Sequence, residues 1–249
     1  MTLAQEYERQ FAWRDWRAAF DALPLVRGET VLDLGCAIGD QAAELVARGA
    51  RVIGIDANEE LLASARARSL ATAEFLSHDL VRLPELGLEA DGLWCSFVPA
   101  YFPEFGPALA SWARCLRPGG WIALTEIDDL FAHEPLEERS RELLESCVRE
   151  ALETGRYDFR MGRRLGEHLE RAGLHVTRAL KLADQEFSFI GPARPEVLEA
   201  WRNRFERLQL LRELSGPDFA RLRDDFLACL AREDHRSRAK VYCSIARKP

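Results

Sequence analysis

The sequence predicts an α/β fold in which a parallel sheet is covered by helices on both faces. Short apolar runs alternate with stretches of helical periodicity, and a strand, a tight turn, a helix and a second strand follow one another early in the chain. The 249 residues are 47% hydrophobic, enough to bury the core of one large α/β domain. This alternation is typical of parallel strands joined by crossover helices.

The stretch "VLDLGCAIGDQAAELVARGARVIGID", residues 31–56, contains the first such unit. Apolar residues at 31–34 and 52–55 predict two strands, and residues 40–48 have helical spacing up to Gly49, a residue typical of a helix end. The turn after the first strand opens onto the helix N-terminus, where free amides and the helix dipole favour a carboxylate or phosphate. Ligands of open parallel sheets bind at this edge.

The next elements continue the alternation. An Asn58 cap with an acidic first turn predicts a helix. The elements predicted after it are a third strand at 73–80, a fourth at 91–97, a helix at 107–116, a turn at 117–120 and a fifth strand at 121–128.

The pattern changes after Asp129, where helices become longer and more frequent. The elements predicted there are helices at 135–155 and 161–173, a strand at 175–189, a helical section at 195–232 and a terminal strand at 239–248. A helical insertion before the last strand predicts a cap over the edge of the sheet.

Composition excludes several classes of function. A net charge of −7 and a pI near 5.4 argue against binding to nucleic acid or to an anionic membrane surface. The chain shows no apolar stretch of membrane-spanning length and no hydrophobic signal region at its start, so we expect a cytoplasmic protein. The six cysteines form no Cys-x-x-Cys pair, and no metal site is expected.

Four motifs carry a family resemblance: "DLGCAIG", an acidic residue at the end of the second strand, "HDL", and "LRPGG". Over most of residues 30–190, the chain resembles the class I S-adenosylmethionine-dependent methyltransferases. The resemblance implies a Rossmann-like parallel sheet with an antiparallel last strand, S-adenosylmethionine as the methyl donor, S-adenosylhomocysteine as the product, and no metal.

The resemblance also implies a division of the chain into parts of a single domain, 1–249. Residues 1–29 would form a helical lid over the cofactor, residues 30–190 the cofactor-binding core, residues 191–236 a helical cap insertion, and residues 237–249 the last strand.

Cofactor contacts follow from the same motifs. Asp56 would accept hydrogen bonds from both ribose hydroxyls, and Asp33 would help to hold the ammonium group of the methionine part. Asp79 would bond the adenine amino group while Leu80 packs on the ring. The full set of predicted cofactor residues is Asp33, Gly35, Ala37, Gly39, Asp56, Ala57, Asp79, Leu80, Ser96 and Phe97.

Gly35 and Gly39 would let the backbone turn sharply and approach the cofactor closely. Ala37 occupies a position where the family usually has glycine, but alanine is the smallest change and is tolerated in α-region or β-region backbone. The dinucleotide-binding pattern Gly-x-Gly-x-x-Gly fits less well, because Ala37 and Asp40 occupy its second and third glycine positions. An NAD-linked oxidoreductase is therefore the weakest alternative.

Methyl transfer from a sulfonium ion is an in-line displacement, so a general base is optional. The acceptor should lie where the fourth and fifth strands end. His133 is the best candidate for a base, with an exposed loop histidine as the alternative. Further candidates on the substrate side are Tyr101, Phe102, Glu126 and Asp128. Glu126 and Asp128 share one face of a strand and would hold a cation, accept a proton, or cap the following turn.

Two other segments supply substrate candidates. The N-terminal "YERQFAWRDWRAAF" reads as an amphipathic helix, and as a lid it would place Tyr7 and Trp13 in the pocket. In "RYDFRMGRR", Arg160 and its neighbours Arg156, Arg163 and Arg164 would clamp an anion or form a solvated helix face.

The substrate class follows by exclusion. Members of the resembled family that methylate amino groups of DNA carry an Asp-Pro-Pro-Tyr type sequence after strand four. This chain has Ser96, Phe97, Val98 and Pro99 there instead. The sequence predicts methylation of an oxygen or nitrogen of a small-molecule acceptor, by a monomer or homodimer. A protein-modifying methyltransferase and an inactive cofactor-binding regulatory protein remain as alternatives.

Overall fold

A computed structural model of the protein describes residues 2–102 and 104–249. Its main sheet has seven strands in the order β3-β2-β1-β4-β5-β9-β7. These strands are β1 (Thr30–Leu34), β2 (Arg51–Asp56), β3 (Ala73–Ser77), β4 (Ala90–Ser96), β5 (Leu116–Asp128), β7 (His175–Leu182) and β9 (Lys240–Arg247).

Strands β1 to β5 are parallel, and β9 lies antiparallel between β5 and β7. The parallel sheet and the antiparallel last strand predicted from the sequence are thus confirmed. Leu34, at the end of β1, aligns with Ile55 of β2 and Cys95 of β4. This register brings the carboxyl ends of the three central strands to one edge, where the functional residues must be sought.

Ten α-helices occur in the described ranges: α1 (Leu3–Phe11), α2 (Trp16–Asp21), α3 (Asp40–Ala47), α4 (Glu59–Ala67), α5 (Phe105–Arg114), α6 (Glu138–Glu153), α7 (Leu165–Arg171), α8 (Pro195–Arg207), α9 (Gln209–Ser215) and α10 (Phe219–Leu230). Their boundaries follow local chemistry. The side chain of Asn58 accepts from the amides of Glu60 and Leu61 and so starts α4. Gly39, at φ +77°, turns the chain into α3.

The helical cap is larger than the sequence predicts. Helix α6 packs with α9 and α10, and ion pairs from Arg139 to Asp218 and from Arg156 to Glu213 join α6 and the segment after it to the insertion. A two-stranded sheet, β6 (His133–Glu134) with β8 (Arg236–Ser237), closes the base of this cap and was not predicted. Two chain segments, one on either side of β7, therefore build the cap.

The N-terminal segment forms two helices instead of the single one predicted, because the chain turns at residues 12–15 and Asp15 caps α2. Helix α2 is fixed to the sheet through aromatic side chains: the rings of Phe20 and Trp94 stack at 4.5 Å, and Trp16 packs edge-on against Trp94 at 6.0 Å. The predicted lid starts at Met1, which lies outside the described residues. The described part of this segment consists of α1 and of α2, which packs against Trp94 of the sheet.

No helix within residues 2–102 and 104–249 combines the length and the apolar character that crossing a bilayer requires.

Close packing across the sheet predicts the effect of one small substitution. Gly92 of β4 pairs with Trp121 of β5, and a Cβ at Gly92 would lie 2.3 Å from ring carbon Cε2 of that buried tryptophan. Gly92→Ala should lower the free energy of unfolding by about 1–3 kcal/mol, because the ring has to move. Urea unfolding followed by circular dichroism measures this. Gly106→Ala in α5, where nothing lies within 4 Å, is the control and should cost nothing; equal effects would contradict the packing argument.

Candidate active site

A cavity of about 400 Å³ opens at the carboxyl edge of the sheet. This is the size of a site for a drug-sized ligand. Its cofactor side, as we name the loops after β1 and β2, contributes Gly35, Cys36, Ala37, Ile38, Asp40, Gln41, Asp56, Asn58 and Leu61. Its other lining residues come from α1, α2 and their connection, from the ends of β4 and β5, and from the cap.

The glycine loop after β1 is shaped by contacts that leave no space for side chains. Gly35 has φ +72°, and a Cβ there would lie 2.2 Å from the Cγ2 atom of Val98. Gly39 lies over the ring of Phe75, whose Cζ would be 3.1 Å from an added Cβ. The backbone of Gly35 therefore lines the cavity itself, whereas Gly39 lies outside the lining.

Ala37 has φ +45°, in the left-handed region. The expectation that its backbone lies in the α or β region was wrong, and an L-residue is strained there. The Ala37 amide donates to Oδ2 of Asp56 over 2.9 Å, and Oδ1 of Asp56 accepts from the amide of Asn58 over 2.8 Å. One carboxylate thus ties the glycine loop to the end of β2 and also lines the cavity.

Two buried polar side chains near the loop lack partners among the described residues. Neither carboxyl oxygen of Asp33, which is 1% exposed, has a hydrogen bond. Burial, together with the nearby Asp56 charge, raises the pKa of Asp33 to about 8. The hydroxyl of Ser96, which lines the cavity, is also unpaired. Buried polar groups normally find a partner, so this region fits the polar end of a ligand such as the methionine part of S-adenosylmethionine.

Phe97 projects into the cavity because its backbone is in the left-handed region, at φ +57°. Its amide is held by the carbonyl of Thr125 at 2.8 Å. The ring packs 6.0 Å from the ring of Trp16, and the guanidinium of Arg14 lies 4.5 Å from its centroid. This strained residue at the end of β4 joins the N-terminal segment to the sheet edge.

The part of the lining that we call the acceptor wall consists of Tyr7, Arg14, Tyr101, Tyr157, Phe187 and Arg204. The rings of Tyr101 and Tyr157 meet edge to face at 4.9 Å. Burial raises the pKa of the Tyr157 phenol well above its ordinary value, so this hydroxyl stays protonated at neutral pH. The wall offers aromatic surface, phenol hydroxyls and two guanidinium groups.

Charged residues under this wall pair with one another. Arg14 bonds Asp184, and its guanidinium lies 3.5 Å from Glu186, while Arg204 donates to Glu186 over 2.6 Å. Glu186 is fully buried, and Gln10 of α1 also donates to it over 3.4 Å. A buried carboxylate is stable only with such partners. Glu186 therefore joins the N-terminal segment to the cap.

A second contact holds α1 over the cavity. The carboxylate of Glu6, a residue 3% exposed, accepts from both terminal nitrogens of Arg207 over 2.6 and 2.7 Å. This paired geometry fixes direction as well as distance. Helix α1 is thereby bound to α8 and holds Tyr7 in the lining, as predicted for Tyr7.

His133 does not line the cavity, and the structure gives no support to its predicted role as a base. It is 4% exposed, with its ring against Trp201 and Phe226. Its Nδ1 lies 3.0 Å from Nε2 of His235, whose Nδ1 donates to the carbonyl of Gly191 over 3.0 Å. The alternative of an exposed loop histidine fails as well. His133 packs inside the cap, and burial lowers its pKa to about 3.

Glu126 and Asp128 were predicted to face the substrate, but neither lines the cavity. Both oxygens of Glu126 accept backbone hydrogen bonds, from Ala100 at 3.2 Å and from Ile127 at 2.9 Å. Burial raises its pKa to about 8. Asp128 pairs with Arg163 at 2.6 Å. These carboxyl groups position the segments beside β5 and leave none of their charge to the cavity wall.

The predicted anion clamp is not formed. Arg160 pairs with Asp129 at 3.3 Å, and its neighbours Arg163 and Arg164 pair with Asp128 and Asp158. Each arginine is thus engaged in a local ion pair, and Arg160 lies outside the cavity lining.

Trp13, predicted in the pocket, is 7% exposed and lies with the guanidinium groups of Arg9 and Arg194 at 5.4 and 5.8 Å from its ring. The chain turn after α1 directs it away from the lining. Trp16, three residues further along, takes the position in the cavity.

Five predicted cofactor residues lie outside the lining: Asp33, Gly39, Ala57, Asp79 and Leu80. Ala57 is exposed, whereas its neighbour Asn58 lines the cavity. Asp79 caps a short 3-10 helix by accepting from the Val81 amide at 2.9 Å, and the carbonyl of Leu80 accepts from Trp112 Nε1 at 3.0 Å. Their adenine contacts stay a prediction.

Sequence reasoning missed several lining residues: Gln10, Phe11, Arg14, Trp16, Asn58, Tyr157, Phe187 and Arg204. Tyr157 lies inside "RYDFRMGRR", a segment for which only the arginines were predicted to contact the substrate. For Arg204 the sequence holds no local signal, because its role depends on Glu186, which is 18 residues away.

Comparison with known proteins is consistent with this geometry. A family model described as "Methyltransferase domain" matches residues 31–120. Over 125 residues the chain is 38% identical to a trans-aconitate 2-methyltransferase from Azoarcus sp. (strain BH72). This match covers 48% of each of the two chains. These matches make part of the chain similar to S-adenosylmethionine-dependent methyltransferases. A ubiquinone biosynthesis O-methyltransferase from Pseudomonas paraeruginosa is 28% identical to the chain, over 66% of this chain and 69% of its own.

The chain spans about half the length of the first curated relatives that it matches. Among solved structures, an S-adenosylmethionine-dependent methyltransferase from Mesorhizobium loti superposes with a TM-score of 0.57 at 21% identity, covering 94% of this chain and 97% of its own. The [4+2]-cyclase SpnF reaches a TM-score of 0.60 at 20% identity, covering 94% and 79%. These likenesses show the fold.

Within residues 2–102 and 104–249 the protein contains no cluster of three or more histidine, cysteine, aspartate or glutamate residues able to hold a metal ion.

The buried histidine pair predicts a pH dependence of stability. The pKa of His133 falls from 6.5 to about 3 on folding, so the unfolded chain binds more protons between these values. The stabilisation is complete above pH 6.5 and is lost as the pH falls, by up to about 1.4 kcal/mol per pH unit. In His133→Asn, which keeps a donor for His235, the free energy of unfolding should fall less steeply with acid. Urea unfolding from pH 4 to 8 tests this, and parallel curves for both proteins would refute it.

The strain at Ala37 predicts a gain from glycine. Ala37→Gly removes a left-handed L-residue, worth about 1–2 kcal/mol, against a cost of about 0.5–1 kcal/mol in unfolded-chain entropy. The variant should be equally stable or up to about 1.5 kcal/mol more stable in thermal unfolding. Ala42→Gly, buried in α3, is the matched control and should destabilise by at least about 1 kcal/mol. A similar loss in both variants would contradict the assigned backbone.

Proposed function

We propose that this protein transfers the methyl group of S-adenosylmethionine to an oxygen or nitrogen atom of a small molecule. The observation that carries the proposal is a single cavity whose lining includes both the glycine loop and the acceptor wall. Donor and acceptor bound in one cavity meet in a fixed geometry, and methyl transfer depends mainly on this geometry.

Residues of the cofactor side fit the proposed donor. The glycine loop allows close backbone approach, the Asp56 carboxylate lies in the lining, and Asp33 and Ser96 hold unpaired polar atoms close by. When bound, S-adenosylmethionine supplies an electrophilic methyl group on a sulfonium ion. The protein's part is to orient the donor through Asp56 and the loop and to exclude water with aromatic side chains such as Phe97.

Enclosure supports a small acceptor over a protein side chain. Helix α1 is fixed over the cavity by the Glu6–Arg207 pair, and Tyr157 and Arg204 from the cap region complete the lining. A protein substrate would need an open groove at this edge. The printed names of two relatives, a trans-aconitate 2-methyltransferase and a ubiquinone biosynthesis O-methyltransferase, also point to small acceptors.

Binding of the donor tests the first half of the proposal. In Asp56→Asn, the loss of a charged acceptor should raise the Kd for S-adenosylhomocysteine at least about tenfold in calorimetric titration. Asp91→Asn is the control, because Asp91 likewise accepts from a backbone amide, that of Thr30, but does not line the cavity. Failure of the folded wild-type protein to bind would refute the donor site.

Turnover tests the second part of the proposal, the transfer of the methyl group to a small molecule. Incubation with methyl-tritiated S-adenosylmethionine and a bacterial extract should place label in molecules that pass a small-pore filter. Label retained on proteins would favour the protein-modifying alternative. Cofactor binding without label in either fraction would favour an inactive regulatory protein.

A further inference from the structure

The acceptor wall has an unusual balance of polar groups. Its charged members are two guanidinium groups, Arg14 and Arg204, and its other polar groups are the phenols of Tyr7, Tyr101 and Tyr157. Within the described chain, the carboxylates that line the cavity, Asp40 and Asp56, both belong to the cofactor side, and the lining contains no histidine. The wall is therefore rich in hydrogen-bond donors and poor in groups that accept a proton.

None of the remaining candidates serves as a general base. Burial raises the pKa of the Cys36 thiol and of the phenols of Tyr7, Tyr101 and Tyr157, so none of these groups is available as an anion at neutral pH. Glu126 uses both oxygens on backbone amides and is outside the lining. An acceptor that has to lose a proton, such as an alcohol, a phenol or an ammonium ion, finds no partner for that proton here.

Both guanidinium groups keep donor capacity. Arg14 uses Nε on Asp184 and places Nη2 near Glu186, and Arg204 uses Nη2 on Glu186. In the described part of the chain, the Nη1 atom of each arginine has no hydrogen-bond partner and is not among the fully buried atoms, and both side chains line the cavity. A planar donor group of this kind matches a carboxylate.

Charge balance points the same way. Arg14 and Arg204 together are neutralised by Asp184 and Glu186 beneath them. The donor brings a positive sulfonium, which attracts an anionic acceptor, whereas an ammonium acceptor would place a second positive charge beside it. A carboxylate is ionised at neutral pH without help, because its ordinary pKa is near 4.

We infer that the acceptor is a carboxylate with an aromatic or apolar body, held through Arg14 and Arg204, and that the product is its methyl ester. The inference rests on the proposed function, whose acceptor class it narrows.

The reaction then balances without any proton transfer. A lone pair of one carboxylate oxygen forms the bond to the methyl carbon. The bond between carbon and sulfur breaks, and its electron pair stays on sulfur as the neutral thioether of S-adenosylhomocysteine. The carboxylate charge and the sulfonium charge disappear together, so no proton is released. Methylation of an alcohol, phenol or ammonium ion releases one proton per turnover.

Binding tests the inference without knowledge of the natural acceptor. Phenylacetate, cinnamate and octanoate are titrated into the protein loaded with S-adenosylhomocysteine, each beside its carboxamide and its alcohol. We expect at least one carboxylate to bind about tenfold more tightly than its uncharged partners. Equal binding within every set, or no binding by any carboxylate, would overturn the inference, while binding of S-adenosylhomocysteine itself reports separately on the proposed function.

The same panel is then incubated with methyl-tritiated S-adenosylmethionine. Label in a carboxylate should be released as volatile methanol by mild base, and a pH indicator in weak buffer should show no proton release. Stable label in an alcohol, or in added phenol or phenethylamine, with one proton released per turnover, would overturn the carboxylate class and leave the methyltransferase proposal intact.

Variants of Arg204 and its partner test whether the acceptor wall causes the preference for a carboxylate. Arg204→Gln should reduce the preference for carboxylate over carboxamide to about threefold or less. Because this change leaves Glu186 buried with one partner fewer, the double variant Glu186→Gln with Arg204→Gln keeps the buried site neutral and should show the same loss. Arg156→Gln, which breaks a surface pair with Glu213 outside the cavity, should keep the full preference. An unchanged preference in a folded double variant would refute the role of Arg204.

Discussion

Glu186 is the residue on which the arrangement of the acceptor wall depends. It lies fully buried and receives hydrogen bonds from Gln10 and Arg204, with the guanidinium of Arg14 close by. A buried carboxylate cannot remain charged without these partners, so the three segments that supply them must meet at one point. This requirement helps to set the positions of α1 and α8 at the sheet edge. Both helices contribute side chains to the cavity lining there.

Much of the sheet and the cofactor side could be predicted from the sequence, because their signals are local. Apolar runs mark β1 and β2, and Gly35 and Gly39 mark a turn that only glycine can make against Val98 and Phe75. The carboxyl ends of parallel strands share one edge, so the loops after β1 and β2 had to meet. Asp56 lines the cavity for this reason.

The acceptor wall could not be predicted in the same way, since it depends on contacts between residues far apart in the chain. His133 follows β5 and looked available, but the second sheet with β8 turns it into the cap beside His235. Trp13 and Trp16 share one short aromatic stretch, and only the turn before α2 decides which of them faces the cavity. Pairing across such distances leaves no periodic pattern in the sequence.

The contact between Glu6 and Arg207 has a consequence for movement. Helix α1 lines one side of the cavity, and charged groups connect it to α8. Separating an apolar contact exposes both surfaces to water, and this exposure raises the free energy. A separated carboxylate and guanidinium instead regain their hydration, which offsets the loss of their attraction. The net cost of opening therefore stays small, while the paired geometry returns α1 to one position on closing. The ion pair therefore fixes the position of α1 without adding a large cost to its separation from α8.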